Sequence, residues 1–196
     1  MTIREVFTNR FIKDLFWSIV FIFFLYAITH NPITHPTPQP IPGNWSIQIM
    51  QHPLFFGFAG HNYIALKDAD GNIISEFHGL ATDINNGGWK YIGTNSTDII
   101  KVWEFENGRY YIAGKGFPGK ILSQGLEADM RAAWNKGRAC MAPIDSKKIP
   151  YPAYGVSLRG ETVNSNSVAY TLAICMGFSP AHVGLLTPGE KVNLLK

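Results

Sequence analysis

Regular alternation of apolar and polar positions sets in at Asn44. "NWSIQIMQ", residues 44–51, alternates residue by residue, which is the period of a half-buried β-strand. "HNYIALKDADGNIISEFH", residues 61–78, holds two runs rich in Ile, Leu, Phe and Tyr around an Asp-Ala-Asp-Gly turn, the pattern of a β-hairpin. "DIIKVWEFENGRYYIAG", residues 98–114, repeats that pattern, with Asn107-Gly108 at the turn. The period then changes. "LEADMRAAWNKG", residues 126–137, has helix formers, early acids and a glycine stop. "SVAYTLAICMG", residues 167–177, predicts a second, more buried helix. Strands first and a helix late is the order of an α+β domain, an antiparallel sheet of hairpins packed on that late helix.

Hairpin register follows from which faces the pattern separates. A four-residue loop, Asp68–Gly71, sets Leu66 opposite Ile73, Ile64 opposite Ser75, Tyr63 opposite Glu76 and His61 opposite His78. A five-residue loop would pair Ile64 with Glu76 and mix the faces, so the shorter loop is the expectation. Directly opposed, His61 and His78 would have Cβ atoms roughly 5 Å apart. One imidazole can then accept a nucleophile's proton while the other fixes its tautomer. Glu76 shares that face and is an alternative orienter. A pair of solvent-facing histidines is the plainer alternative. His61, His78 and Glu76 are also zinc-ligand types, but no further ligand is placed, so neither metal nor cofactor is expected.

The late helix opens on Asn164, Ser165, Asn166 and Ser167. Asn and Ser lead the N-cap preferences, so this run caps the helix whatever else it does. "DADGN" lacks the later Glu of a calcium loop, and "GKGFPGK" lacks the spacing of a phosphate loop. Trp89, Trp103 and Trp134 are expected in the core or lining a groove. Phe55, Phe56 and Phe58 stand just before His61, as core or as the wall of a hydrophobic groove.

The N-terminus changes the class of protein. "LFWSIVFIFFLYAI", Leu15–Ile28, carries no charge, and with its lead-in it approaches membrane length. We take residues 1–30 as an uncleaved transmembrane or signal-anchor helix, with a cleaved signal peptide and a buried core helix as alternatives. Arg4, Arg10 and Lys13 precede the run, which orients the rest of the chain outward across a cytoplasmic membrane, toward a periplasm or exterior. Residues 31–43, "NPITHPTPQPIPG", form a semi-rigid proline-rich spacer, and 44–196 the globular domain. The formal net charge is only +3, with no basic stripe, so no nucleic-acid partner is expected. Cys140 and Cys175 could bridge in an exported domain or remain two buried thiols; the sequence leaves both open.

"GHNYIAL" (60–66), "EFHG" (76–79), "NSNSVAYTL" (164–172) and the later "PGEKVNLL" (188–195) resemble circularly permuted papain-like proteins, the NlpC-like and lecithin:retinol-acyltransferase-like hydrolases and transferases. They also resemble bacterial and phage-encoded relatives with an "NSNS" helix start. The resemblance implies that His61 is the base, His78 the orienter and Ser165 the nucleophile. Asn164, Asn166, Ser167, Tyr63 and Glu76 would surround them as binding residues, and helix-start amides, that of Asn166 included, would hold an oxyanion. The implied function is a membrane-anchored hydrolase or amidase of the cell envelope, acting on an amide or ester such as a peptidoglycan peptide. One departure matters. The family has Cys where this chain has Ser165, and a hydroxyl gains far less than a thiol from a helix N-terminus. A catalytically inactive binding module on the same fold is therefore the alternative.

Overall fold

The computed structural model describes residues 39–54, 59–90, 92–94, 96–106, 117–157 and 161–196. All of these belong to the second of two units of the chain, Pro36–Lys196. The anchor at 1–30, most of the spacer, Phe55, Phe56, Phe58 and the Asn107-Gly108 turn lie outside the described residues. Among the described residues no helix is long and apolar enough to cross a membrane.

The architecture is α+β. Among the described residues six strands come first: β1 (Trp45–Leu54), β2 (Ala59–Lys67), β3 (Ile73–Asp83), β4 (Trp89–Lys90), β5 (Asp98–Glu106) and β6 (Gly119–Gly125). Three described α-helices follow: α1 (Glu127–Ala139), α2 (Met141–Ser146) and α3 (Ser165–Cys175). All strand pairings are antiparallel, in the order β4-β3-β2-β1-β6, with β5 also on β3.

Strand alternation divides the sheet into two faces. Ile47, Ile49, Ile64, Leu66, Phe77, Ile100 and Val102 join Met130, Trp134, Val168 and Leu172 in the main core, beneath the helices. Met50, Tyr63 and Ala65 form a smaller cluster on the other face, with Ile73 and Phe117 against it. Trp134 stacks on Phe77 with ring centroids 4.0 Å apart, so it belongs to the core. α1 runs on through Gly137, the expected stop, to Ala139. A Cβ at Gly137 would stand 2.3 Å from Met176 Cε, so the missing side chain serves close packing against the end of α3. Cys140 and Cys175 form a disulfide, with Cα atoms 6.6 Å apart, which resolves the alternatives left by the sequence. It joins the end of α1 to the end of α3.

The hairpin differs from its expected register. The loop has five residues, Asp68–Asn72, held by Asp68 N–H to the Asn72 carbonyl at 3.0 Å and by Asp68 Oδ1, which accepts from Asp70 and Asn72 amides. A five-residue loop alone would mix the faces, but a bulge corrects it. Lys67 pairs with Ile73 and Leu66 with Ser75, leaving Ile74 extra. The added residue restores parity, so Ile64 pairs with Phe77 and both reach the core. His61 and His78 are thus not directly opposed. They lie beyond the last β2–β3 pair, in a part of the hairpin that opens.

That opening has a definite cause. β5 occupies one edge of β3 from Ser75 to Asp83, so β2 and β4 must share the other. β2 takes it as far as Phe77 and β4 takes it at Ala81 and Thr82. Between these points β2 and β3 part, leaving a wedge at Asn62 on one strand and Gly79 on the other.

Candidate functional site

The wedge is where the three sequence motifs meet. The start of α3 fills it: the Asn62 amide, unpaired by β3, donates to Asn166 Oδ1 at 2.8 Å. Across the gap, a Cβ on Gly79 would stand 2.6 Å from Val168 Cβ and 3.0 Å from the Ser165 Cα. Only a residue without a side chain lets the helix start settle there. The helix start therefore lies against the backbone immediately after both histidines.

On the face away from the helices, His61 Nε2 and His78 Nδ1 are 3.0 Å apart, and His78 Nε2 is 3.3 Å from Glu76 Oε2. The series Glu76–His78–His61 makes Glu76 the partner of His78, not an orienter of His61. The rings stack, 5.3 Å between centroids and 8° between planes, and Tyr63 stacks on His78 at 4.6 Å. All four side chains are buried. Burial holds both imidazoles well below their ordinary pKa, helped at His61 by His78 and then His52, and at His78 by His52. Both are neutral near pH 7, the form a general base needs. Burial, and then the nearby Glu76 carboxylate, push the Tyr63 phenol upward. Among the described residues its hydroxyl has no hydrogen-bond partner. Tyr63, expected as a binding residue, is sealed inside.

His52 was not visible as a site residue from sequence alone. The β1–β2 register sets it opposite His61, and its ring meets Phe117 edge-on at 4.6 Å. The signal was present, since His52 continues the alternating face of β1, but it gains meaning only once β1 is placed beside β2.

The four residues Asn164–Ser167 act first as a cap. Asn164 Oδ1 accepts from the Asn166 amide at 2.8 Å, and Ser167 Oγ accepts from the Asn164 amide at 3.2 Å. The Asn166 amide is thus already bonded and is not a vacant oxyanion donor, contrary to expectation. Asn164 Nδ2 donates to the Gly155 carbonyl, Asn166 Nδ2 to that of Pro188, and Ser167 Oγ to that of Gly189. These three expected binding residues spend their polar atoms on the fold. Gly189 is required here: its φ is +82°, and a Cβ would stand 2.8 Å from both Ser167 Oγ and the Thr162 carbonyl.

Ser165 is different. Burial pushes the nearby Tyr151 phenol upward, an effect that Ser165 partly offsets. Among the described residues no hydrogen bond joins Ser165 to His61 or His78. The structure brings the expected nucleophile to the wedge, its Cα against Gly79, while the imidazole of the expected base lies on the other face of the sheet. Among the described residues no group of three or more His, Cys, Asp or Glu is arranged to hold a metal ion. Comparison of the chain with known protein families, with curated proteins and with solved structures finds no match.

Proposed function

We propose that residues 44–196 form a serine-type hydrolase of papain-like plan, carried outward at a membrane by residues 1–30. The observation that supports it is that the start of α3, with Ser165, packs against the backbone next to both histidines of the buried series Glu76–His78–His61. Neutral His61 takes the Ser165 proton as Oγ bonds to the substrate's carbonyl carbon. His78 shares the incoming charge, with Glu76 behind it. The C–N or C–O bond then breaks, and His61 returns the proton to the leaving amine or alcohol. Water attacks the acyl-serine by the same route, releasing the acid and restoring Ser165. An envelope amide or ester, such as a peptidoglycan peptide, is the substrate class. The Cys140–Cys175 bridge fits an oxidising compartment outside the cytoplasm.

The test uses the full chain in detergent micelles with a fluorophosphonate probe. The oxygen of Ser165 displaces fluoride from phosphorus and its proton passes to His61. Labelling is expected in the parent and absent in both Ser165→Ala and His61→Ala. Labelling that persists in Ser165→Ala, or folded parent protein that never labels, sinks the serine-hydrolase reading.

The commitment of Asn164, Asn166 and Ser167 to the fold favours a second reading: a catalytically inactive binding module at the envelope. Under that reading the parent stays unlabelled yet binds muropeptide.

A further inference from the structure

A cleft of about 370 Å³ opens between α1 and the turn end of the β2–β3 hairpin, on the face of the sheet that carries the helices. Leu66, Trp134 and Ile74, the residue that the bulge leaves extra, give it an apolar floor. Arg131, Asn135 and Arg138 line it from one side of α1, spaced i, i+4 and i+7, and Glu106 from the end of β5 completes the rim. Leu66 is four residues along β2 from Asn62, roughly 13 Å at the rise of a strand, so the cleft stands apart from the wedge.

Much of the polar capacity around the cleft is spent within the fold. Glu104 accepts Arg138 Nη2 at 2.6 Å, Trp134 Nε1 at 2.7 Å and Ser75 Oγ at 3.1 Å on Oε1, and Arg138 Nε at 2.7 Å on Oε2. Arg138 also donates from Nη2 to Glu106 Oε1 at 2.5 Å and from Nη1 to Asn135 Oδ1 at 3.1 Å. Arg131 Nε donates to Glu127 Oε1 at 2.7 Å, and the guanidinium lies 4.5 Å from the Trp45 ring centroid. Among the described residues no hydrogen-bond partner takes the Nδ2 hydrogens of Asn135, the Nη hydrogens of Arg131 or Glu106 Oε2.

Those open atoms differ in kind and lie close together. Arg138 holds Asn135 and Glu106 on one guanidinium, so an open donor and an open acceptor are neighbours. Charge narrows the ligand further. Glu104, Glu106 and Glu127 offset the two arginines, so a lone anion meets Glu106 and a lone cation meets Arg131 and Arg138. A ligand that gains from the whole rim brings both charges, near each other, with a small apolar body for the floor. The volume is at the low end for ligand pockets, about 300–1,000 Å³, which suits one small molecule.

We propose that this cleft binds a free aliphatic α-amino acid. Its carboxylate accepts from Asn135 Nδ2 and Arg131, its ammonium donates to Glu106 Oε2, and its side chain lies on Leu66 and Ile74. The site is independent of the hydrolase reading above.

The experiment titrates the full chain in micelles with leucine and follows the Trp134 Nε1–H signal by nuclear magnetic resonance, the signal being the one lost in Trp134→Phe. A saturable shift with a Kd of roughly 1 mM or tighter is expected, within reach of a ligand this small. N-acetylleucine lacks the cation and leucinamide the anion, and each should bind at least about tenfold more weakly. Asn135→Ala and Glu106→Gln alter exposed side chains and should weaken leucine by a similar factor, with thermal unfolding as the check on folding. No saturable shift at about ten times the expected Kd overturns the site. Equal binding of leucine and either analogue overturns the paired-charge reading, and full affinity in both folded variants overturns the assignment to this cleft. If neither variant folds, the two analogues on the parent chain decide.

Discussion

Two neutral imidazoles locked beneath a sheet should make stability depend on pH in a window that few other groups share. His61 and His78 have folded pKa values well below their ordinary 6.5 because burial disfavours the charged ring. In the unfolded chain both titrate near 6.5. Below that pH the unfolded state binds more protons than the folded one, so stability falls as pH falls, and it is fully present above about 7.5. From pH 7.5 to 5.5 each buried histidine that stays neutral costs between one and two kcal/mol, about 3 kcal/mol for the pair. The carboxylates with depressed pKa, Asp68, Asp83 and Glu104, lose their contribution only at lower pH, outside this window. Urea unfolding of the full chain at the two pH values reads the difference directly. His61→Gln and His78→Gln should each remove about half of the drop, and the double variant nearly all. A parent whose stability is flat from 7.5 to 5.5, or a double variant that keeps the full drop, would refute the buried neutral pair.

Two further outcomes test the frame around the site. Reducing the Cys140–Cys175 bridge releases a loop with a sequence separation of 35, and chain entropy puts the loss at about 4 kcal/mol; a change under about 1 kcal/mol on dithiothreitol, read by urea midpoint, would exclude that role. Gly79→Ala forces a methyl into Val168 and should cost about 1–3 kcal/mol by thermal unfolding, with much of it recovered in Gly79→Ala/Val168→Ala; no recovery would mean the wedge is not closed by that contact.

Local pattern was enough for β1, for both strands of the β2–β3 hairpin, for the two longer helices and for the cap at Asn164, because each is written within a few residues. The bulge at Ile74 was not. Alternation fixes which face a residue takes but not where a single extra residue is inserted, and the five-residue loop looked wrong until the bulge restored parity. Strand β6, "GKILSQG", carries no clear alternation and none of its residues is fully buried; it exists because β1 has a free edge. Of the candidate site, His61, His78 and Glu76 were legible as a group, and their order Glu76–His78–His61 was not. His52 was missed, since it gains meaning only from a neighbour on a distant element.

Segment 185–194 closes the molecule. Leu185 N–H reaches Gln51 Oε1, Gly60 N–H reaches the Leu186 carbonyl, and Leu194 N–H reaches Thr171 Oγ1. His182, just before this stretch, and Thr187 within it meet on Glu190. The oldest strands of a growing chain therefore wait for residues made more than a hundred positions later, 134 in the case of Gln51 and Leu185. Contacts of that span slow folding and keep an unfinished chain open. A protein led out N-terminus first would cross as an incomplete sheet, with its histidines still wet. Ser165 would gain its setting only after segment 185–194 had been delivered. Under the hydrolase proposal, a delayed assembly of this kind would keep acyl chemistry silent during synthesis and let it begin only where the domain comes to rest.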